Sequence, residues 1–190
     1  MSELNWNVLS KPALEVAPRL LGSYLIRELD GHKLVGKIVE AEAYDQSDPA
    51  SHSFYGNNGR AAVTFGASGH LYVHAIRQHF CCDITAGVTG HGASVLIRAV
   101  EPLEGLDAMR LLRHGISDSQ LTNGPGKVCQ ALGIDKQLNG HDLRGAPLVL
   151  VLKEPLPADQ IVRTTRVGIT KAKAELWRFY IKDSPFVSKK

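Results

Sequence analysis

The stretch Gly36-Lys37-Ile38-Val39-Glu40-Ala41-Glu42-Ala43-Tyr44, followed eight residues later by His52, decides the reading of this chain. It reads as a β-strand, in which alternate residues share a face. On that rule Ile38, Glu40, Glu42 and Tyr44 point one way, and Val39, Ala41 and Ala43 the other. Two carboxylates and a phenol in line with an apolar residue are an unusual choice for a half-buried sheet. A buried carboxylate is costly unless it is paired or used. Glu40, Glu42 and Tyr44 are therefore either a strand end reaching solvent or a base held on a rigid strand, and spacing alone does not choose between the glutamates.

Working outward, Tyr24–Leu29 and Lys33–Tyr44 read as strands joined by the turn signal Asp30-Gly31. Lys11–Leu21 reads as a helix with Pro12 near its start and Gly22 after its end, and Pro18 is expected to kink or shorten it. Residues 45–68 form a long loop, a length usually tied to function. Further strands are expected at Leu71–Ile76, Phe80–Thr85, Ala93–Val100, Leu148–Lys153, Ile161–Thr165 and Trp177–Ile181. Arg77-Gln78-His79 turns the chain between two of them. Helices are expected at Leu103–His114 and Val128–Leu132. Strand-rich ends with helices in the middle argue for α+β, not regular βαβ alternation. One domain over 1–190 is expected, with 1–10 and 186–190 loosely packed.

The 190 residues are 44% hydrophobic and 22% charged, enough for one substantial core. No apolar run is long enough for a membrane helix, and the first residues lack the basic and apolar parts of a signal peptide. Three cysteines do not make a disulfide framework, which points to a reducing cytoplasm. A formal net charge of +3 suits a polyanion binder and many ordinary enzymes alike.

Other residues carry two readings each. Arg98 is either half of an internal ion pair or a partner of the base glutamate and its water. His70 and His74, with Asp83, are a weak candidate for metal ligation, because their spacing matches no zinc pattern. Cys81 and Cys82 read as small buried hydrophobes. Asn123-Gly124-Pro125-Gly126-Lys127 is a turn before a helix that is also able to cradle a phosphate. Arg163, Arg166, Lys171 and Lys173 make the region around Arg166-Val167-Gly168-Ile169 basic.

Together these blocks resemble the alkyladenine (3-methyladenine) DNA glycosylase family over nearly the whole chain, from about Ala17 to Ser188. The shared motifs are Arg19-Leu20-Leu21-Gly22, Ile38–Tyr44, Asp48-Pro49-Ala50-Ser51-His52, Leu96–Gly105, Asn123–Lys127, Arg166–Ile169 and Trp177-Arg178-Phe179-Tyr180. The resemblance implies a compact domain with a curved, mainly antiparallel sheet and peripheral helices. It implies an enzyme that flips a damaged purine out of double-stranded DNA, hydrolyses its N-glycosidic bond and leaves an abasic site. Glu42 would activate the water, with Arg98 and the Val167 carbonyl holding it. Tyr44, His52, His74 and Asp83 would line the pocket. Arg60, Arg77, Gln78, Gly126, Lys127, Arg166 and Gly168 would contact DNA. No metal and no cofactor are implied. A monomer is expected, in the cytoplasm of a bacterium (at the nucleoid) or in a eukaryotic nucleus. An alkylated purine is cationic and leaves easily, so one carboxylate placed beside a water suffices.

The chain departs from the family in one region. His74 stands where a second pocket tyrosine is usual, Asp83 where an asparagine is, and Arg77-Gln78 where an intercalating tyrosine and glycine are. Ala61 and Thr64 also depart, in the loop before. Asp83 is expected either to raise the pKa of Glu42 and repel DNA, or to read an amino group on the base. These changes leave open a protein of the same fold that binds lesions but cleaves them poorly.

Overall fold

Asp30 and Gly31, at φ +49° and +78°, close a two-residue turn between β1 (Tyr24–Leu29) and β2 (His32–Asp45). Two successive left-handed residues give the turn whose twist matches that of paired strands. A computed structural model describes residues 6–189. In it this hairpin belongs to an open antiparallel sheet of eight strands, flanked by three helices. The other strands are β3 (Leu71–Ile76), β4 (His79–Thr85), β5 (Ala93–Glu104), β6 (Leu148–Val151), β7 (Ile161–Thr164) and β8 (Arg178–Ile181). The order is β3-β4-β5-β2-β1-β6, with β8 beside β2 and β7 beside β8. The fold is α+β in one domain.

β2 organises the sheet. One edge pairs with β5 along almost its whole length, while the other serves β1 over residues 32–37 and β8 over residues 40–42. The neighbour changes at an irregularity. Ile38 lies opposite Val100, Glu40 opposite Ala99 and Ala41 opposite Ile97, so Val39 and Arg98 are each one residue extra. Such bulges bend a strand and re-aim its side chains. The strict alternation expected from the sequence breaks here. Ile38 packs in the core with Ala41 and Ala43, whereas Glu40 and Glu42 join a polar network outside that cluster. Arg98 likewise parts company with Val100, which is a core residue.

The core lies on one face of the sheet. There α1 (Ala13–Leu20) contributes Val16, Ala17 and Leu20, α2 (Leu106–Leu112) Met109, and α3 (Pro125–Ala131) Val128 and Cys129. Each fully buried leucine-sized side chain stabilises by roughly 1.5–3 kcal/mol. Gly36 permits close packing of β2 on β5, since a Cβ there would sit 2.7 Å from Val100 Cγ2.

Three expectations need correction. α2 starts at Leu106, not Leu103, because β5 keeps pairing with β2 as far as Glu104 and Gly105 turns at φ +79°. α1 continues through Pro18 to Leu20. The described parts of the ends are anchored, not loose: Leu9 is fully buried, and Ser188 binds Glu40 through both its N–H and its hydroxyl. Residues 1–5 and 190 lie outside the described residues.

Candidate active site

The two glutamates of β2 sit side by side in surroundings that divide their labour. Glu40 is fully buried and saturated. Arg178 Nη1 donates to its Oε1 at 2.7 Å, Arg98 Nε lies 3.3 Å from the same oxygen, and Ser188 supplies two further donors. Glu42 is also fully buried, but is held by groups of three different kinds. Val167 N–H donates to Oε1 at 2.8 Å, Tyr44 O–H donates to Oε2 at 2.8 Å, and Arg98 Nη1 approaches Oε2 at 3.4 Å. The same Nη1 lies 3.5 Å from the Val167 carbonyl. Both Arg98 contacts are longer than the 2.7–2.9 Å typical of a direct charge-assisted bond. Two carboxylates and two guanidiniums, Arg98 and Arg178, balance in formal charge, as a buried polar cluster requires. Arg98 is thus part of an internal ion pair, reaching both Glu40 and Glu42.

Burial raises the Glu42 pKa above the ordinary carboxylate value; Arg98, Val167 N–H and Tyr44 act against that rise, and Glu40 adds to it. Asp83 acts on the neighbouring Tyr44 phenol, raising it as the smallest of five influences. Glu40 is a carboxylate that adds to the rise at Glu42. Burial, and then the charge and hydrogen bond of Glu42, also raise the Tyr44 phenol.

Beside this network opens a cavity of about 300 Å³. Its walls come from Tyr44 on β2, Leu96 and Ser94 on β5, Tyr72 and His74 on β3, Asp83 on β4, the turn at His52, and residues 168–171. Glu42 lies one layer behind the wall. Tyr44 is hydrogen-bonded to it, Leu96 is opposite it in register, and Gly168 follows Val167. The register aligns a row across the sheet, Tyr72–Asp83–Leu96–Glu42–Arg178. Pocket wall and buried glutamate are therefore parts of one rank of side chains.

Tyr44, His52, His74 and Asp83 all reach this cavity. His52 Nδ1 pairs with Tyr72 O–H at 3.0 Å, and burial, followed by His74 and Arg60, lowers its pKa to about 4. Asp83 spends both oxygens inside the protein, on His74 Nε2 at 3.0 Å and the Ser94 hydroxyl at 2.6 Å. His70 makes its own bond to the Ala67 carbonyl and shares no partner with His74. Among the described residues, no group of three or more His, Cys, Asp or Glu is placed to hold a metal ion.

The residues expected at DNA divide. Arg60, Arg77 and Gln78 are exposed, and Gly168 lies at the cavity rim. Gly126 and Lys127 line a second, shallow depression with Arg113 and His79; Lys127 donates to Asn123 Oδ1 at 2.7 Å. Arg166 is a correction. Its side chain is 0% exposed, paired with Asp48 and the Ala43 carbonyl, with its guanidinium over the Tyr44 ring at 4.6 Å. A buried, paired guanidinium cannot reach a phosphate; it braces the ring that covers Glu42 instead.

Sequence reasoning missed several members of the site. Tyr72 stacks on His74 with centroids 5.0 Å apart. Arg178 and Ser188 secure Glu40, and Asp48 secures Arg166. Strand alternation alone carried a signal for Tyr72, two residues before His74. Nothing local marks Ser188, which lies 148 positions from Glu40.

The chain matches the family model for methylpurine-DNA glycosylase (MPG) over residues 7–185. A protein of Carboxydothermus hydrogenoformans is 46% identical over 183 residues, covering 95% of this chain and 96% of its own. One of Nitrosospira multiformis is 44% identical, covering 95% and 91%. One of Desulfitobacterium hafniense is 42% identical over the full length of both chains. All three are provisionally named 3-methyladenine DNA glycosylases.

Proposed function

The chain belongs to the methylpurine-DNA glycosylase family, and from that premise we propose that it is a DNA repair enzyme that hydrolyses the N-glycosidic bond of a damaged purine flipped out of double-stranded DNA. The observation that carries this reading is Glu42: a buried carboxylate on a rigid strand, shared by a guanidinium, a backbone N–H and a phenol, in one rank with the wall of an aromatic cavity.

The purine seats between Tyr44, His52 and His74. Aromatic faces favour an electron-poor, cationic ring. A water among Glu42, Arg98 and the Val167 carbonyl is aimed at C1′ of the sugar. Glu42 takes its proton, the water oxygen bonds to C1′, and the C1′–N bond breaks with its electron pair leaving on the base. An alkylated purine starts positively charged and departs neutral, so the base alone completes the chemistry. Arg98 keeps enough of Glu42 ionised to act, against the effect of burial. Because Tyr44, Leu96 and Gly168 wall off Glu42, the sugar reaches it only after that wall shifts.

The full burial of Glu42 favours one second reading, a lesion-binding protein that cleaves slowly. Glu42→Gln separates the two. On a duplex carrying 3-methyladenine or hypoxanthine it is expected to lower single-turnover base release at least 10²-fold, the usual scale for a general base, while duplex binding stays within a few-fold. Equal release by variant and parent would remove Glu42 from the mechanism; no release by the parent on any lesion would leave the binding reading.

A further inference from the structure

One segment of the wall in front of Glu42 is lightly held. Residues 168–171 line the cavity. The chain is fixed on either side of them. Val167 N–H is bound to Glu42 at 2.8 Å, and the Trp177 carbonyl accepts the Ala43 N–H at 2.9 Å. Arg166, just before Val167, is buried and paired with Asp48. Gly168 at φ +79° and Ala172 at φ +47° bracket residues 169–171, and both lie in the left-handed region that side chains rarely allow. Among the described residues, one hydrogen bond ties residues 168–171 to another part of the chain: Lys171 Nζ donates to the Tyr55 hydroxyl at 3.1 Å.

That bond joins the loop that supplies His52 to the loop that supplies Gly168, both of which line the cavity. Tyr55 ends the 3-10 turn His52–Tyr55 and is 71% exposed. Lys171 is also exposed, with its ammonium 5.7 Å from the centre of the Tyr55 ring. Among the described residues Lys171 makes no ion pair, so its charge rests on a neutral phenol. The other charged side chains of this loop, Lys173 and Glu175, are exposed too. A phosphate is the better partner for an ammonium, because a hydrogen bond between ions is roughly twice as strong as one between neutral groups. A nucleotide entering the cavity carries its phosphate to the rim where Lys171 stands.

We propose that Lys171 is the phosphate grip of this cavity, latched to Tyr55 in the free protein and drawn to the phosphate of the flipped nucleotide when DNA binds. The inference rests on the glycosylase reading above. On the exchange the ammonium leaves the phenol, and residues 169–171 swing about Gly168 and Ala172. Val167 stays in place with its N–H on Glu42, so the wall opens while the carboxylate keeps its partners. The sugar then reaches the water beside Glu42. Tyr55 acts through Lys171 and is a positioning residue.

The test is a double-mutant cycle of Tyr55→Phe, which removes the hydroxyl and keeps the ring, and Lys171→Met, which keeps the stem and removes the charge. Single-turnover release is read at saturating enzyme on a duplex carrying 3-methyladenine or hypoxanthine. Tyr55→Phe is expected to release base about 2–10-fold faster than the parent, the factor that one neutral hydrogen bond is worth in an equilibrium. In the Lys171→Met background the same change is expected to do nothing. Binding is read in Glu42→Gln chains, which keep the lesion intact. There Lys171→Met is expected to lower the salt slope by about one on the lesion duplex and to leave it unchanged on undamaged duplex. An equal fall on both duplexes would make Lys171 a general DNA contact and overturn the proposal. An unchanged slope on both, a Tyr55→Phe variant no faster than the parent, or a gain that persists without Lys171 would overturn it as well, with the glycosylase reading intact. Release of no base by the parent would sink that reading itself, and this proposal with it.

Discussion

Glu42 shows how burial and charge contend over one residue. Desolvation lifts its pKa above 4.5, and Arg98 is the largest influence opposing the lift. In the proposed mechanism Glu42 acts only when ionised, so activity is expected to rise with pH through its folded-state pKa. Stability runs the other way: a carboxyl with a raised folded pKa contributes most at acid pH and loses that contribution as pH climbs through the raised value. Replacing Arg98 by Gln removes the opposing charge. The acid limb of the pH–rate profile for a cationic lesion is then expected to move upward, with activity at pH below the limb falling about tenfold per pH unit. A limb that stays in place would show that Arg98 serves the water alone. Asp48 and Arg166 obey the rule for buried pairs. Asp48→Ala leaves the guanidinium uncompensated under Tyr44, and a loss of about 3–5 kcal/mol in urea unfolding is expected.

At the scale of an element, the β3–β4 hairpin combines strain with exposure. Its two-residue turn places Arg77 at φ +56°, a conformation in which glycine is usual. A non-glycine residue there costs roughly 1–2 kcal/mol, and glycine would return part of that gain through the unfolded chain. Arg77→Gly is therefore expected to leave stability unchanged or raise it by up to about 1 kcal/mol. If the tip grips DNA, the same variant weakens duplex binding and lowers the salt slope by about one. Paired denaturation and salt-titration measurements separate these effects. An unaltered slope would take Arg77 out of the interface. Ile76 sits beside it, 45% exposed and lining the cavity, which puts an apolar group at the same tip.

Across the whole molecule, the last described residues act as a clasp on the site. Ser188 gives its N–H to Glu40 Oε2 at 2.6 Å and its hydroxyl to Oε1 at 2.9 Å, and the Lys189 carbonyl accepts from Arg178. Glu40 in turn holds Arg98, which holds Glu42. Ser188→Pro removes both donors from a buried carboxylate. A loss of about 2–4 kcal/mol is expected, lowering Tm on the order of 5–10 °C. Base release should fall with it, because Arg98 Nε loses the Ser188 hydroxyl to which it donates at 3.4 Å. A melting curve matching that of the parent would show that Glu40 is satisfied without the clasp.

Local pattern alone was enough for much of this protein. The Asp30-Gly31 hairpin, the long second strand and the β3 and β4 segments depend on neighbours in the chain, turn residues and alternation, whereas the helix expected at Val128–Leu132 begins at Pro125 and takes in Gly126 and Lys127. The motif around Glu42 marked the candidate site for the same reason. Tertiary structure decided which partners each glutamate has, because Val167, Arg178 and Ser188 lie more than a hundred residues away. It also moved Arg166 from the DNA surface to the interior and tied Asp83 to His74 instead of Glu42. Local periodicity does not report a bulge that needs a second strand to exist, nor an ion pair whose halves meet only when the sheet is assembled.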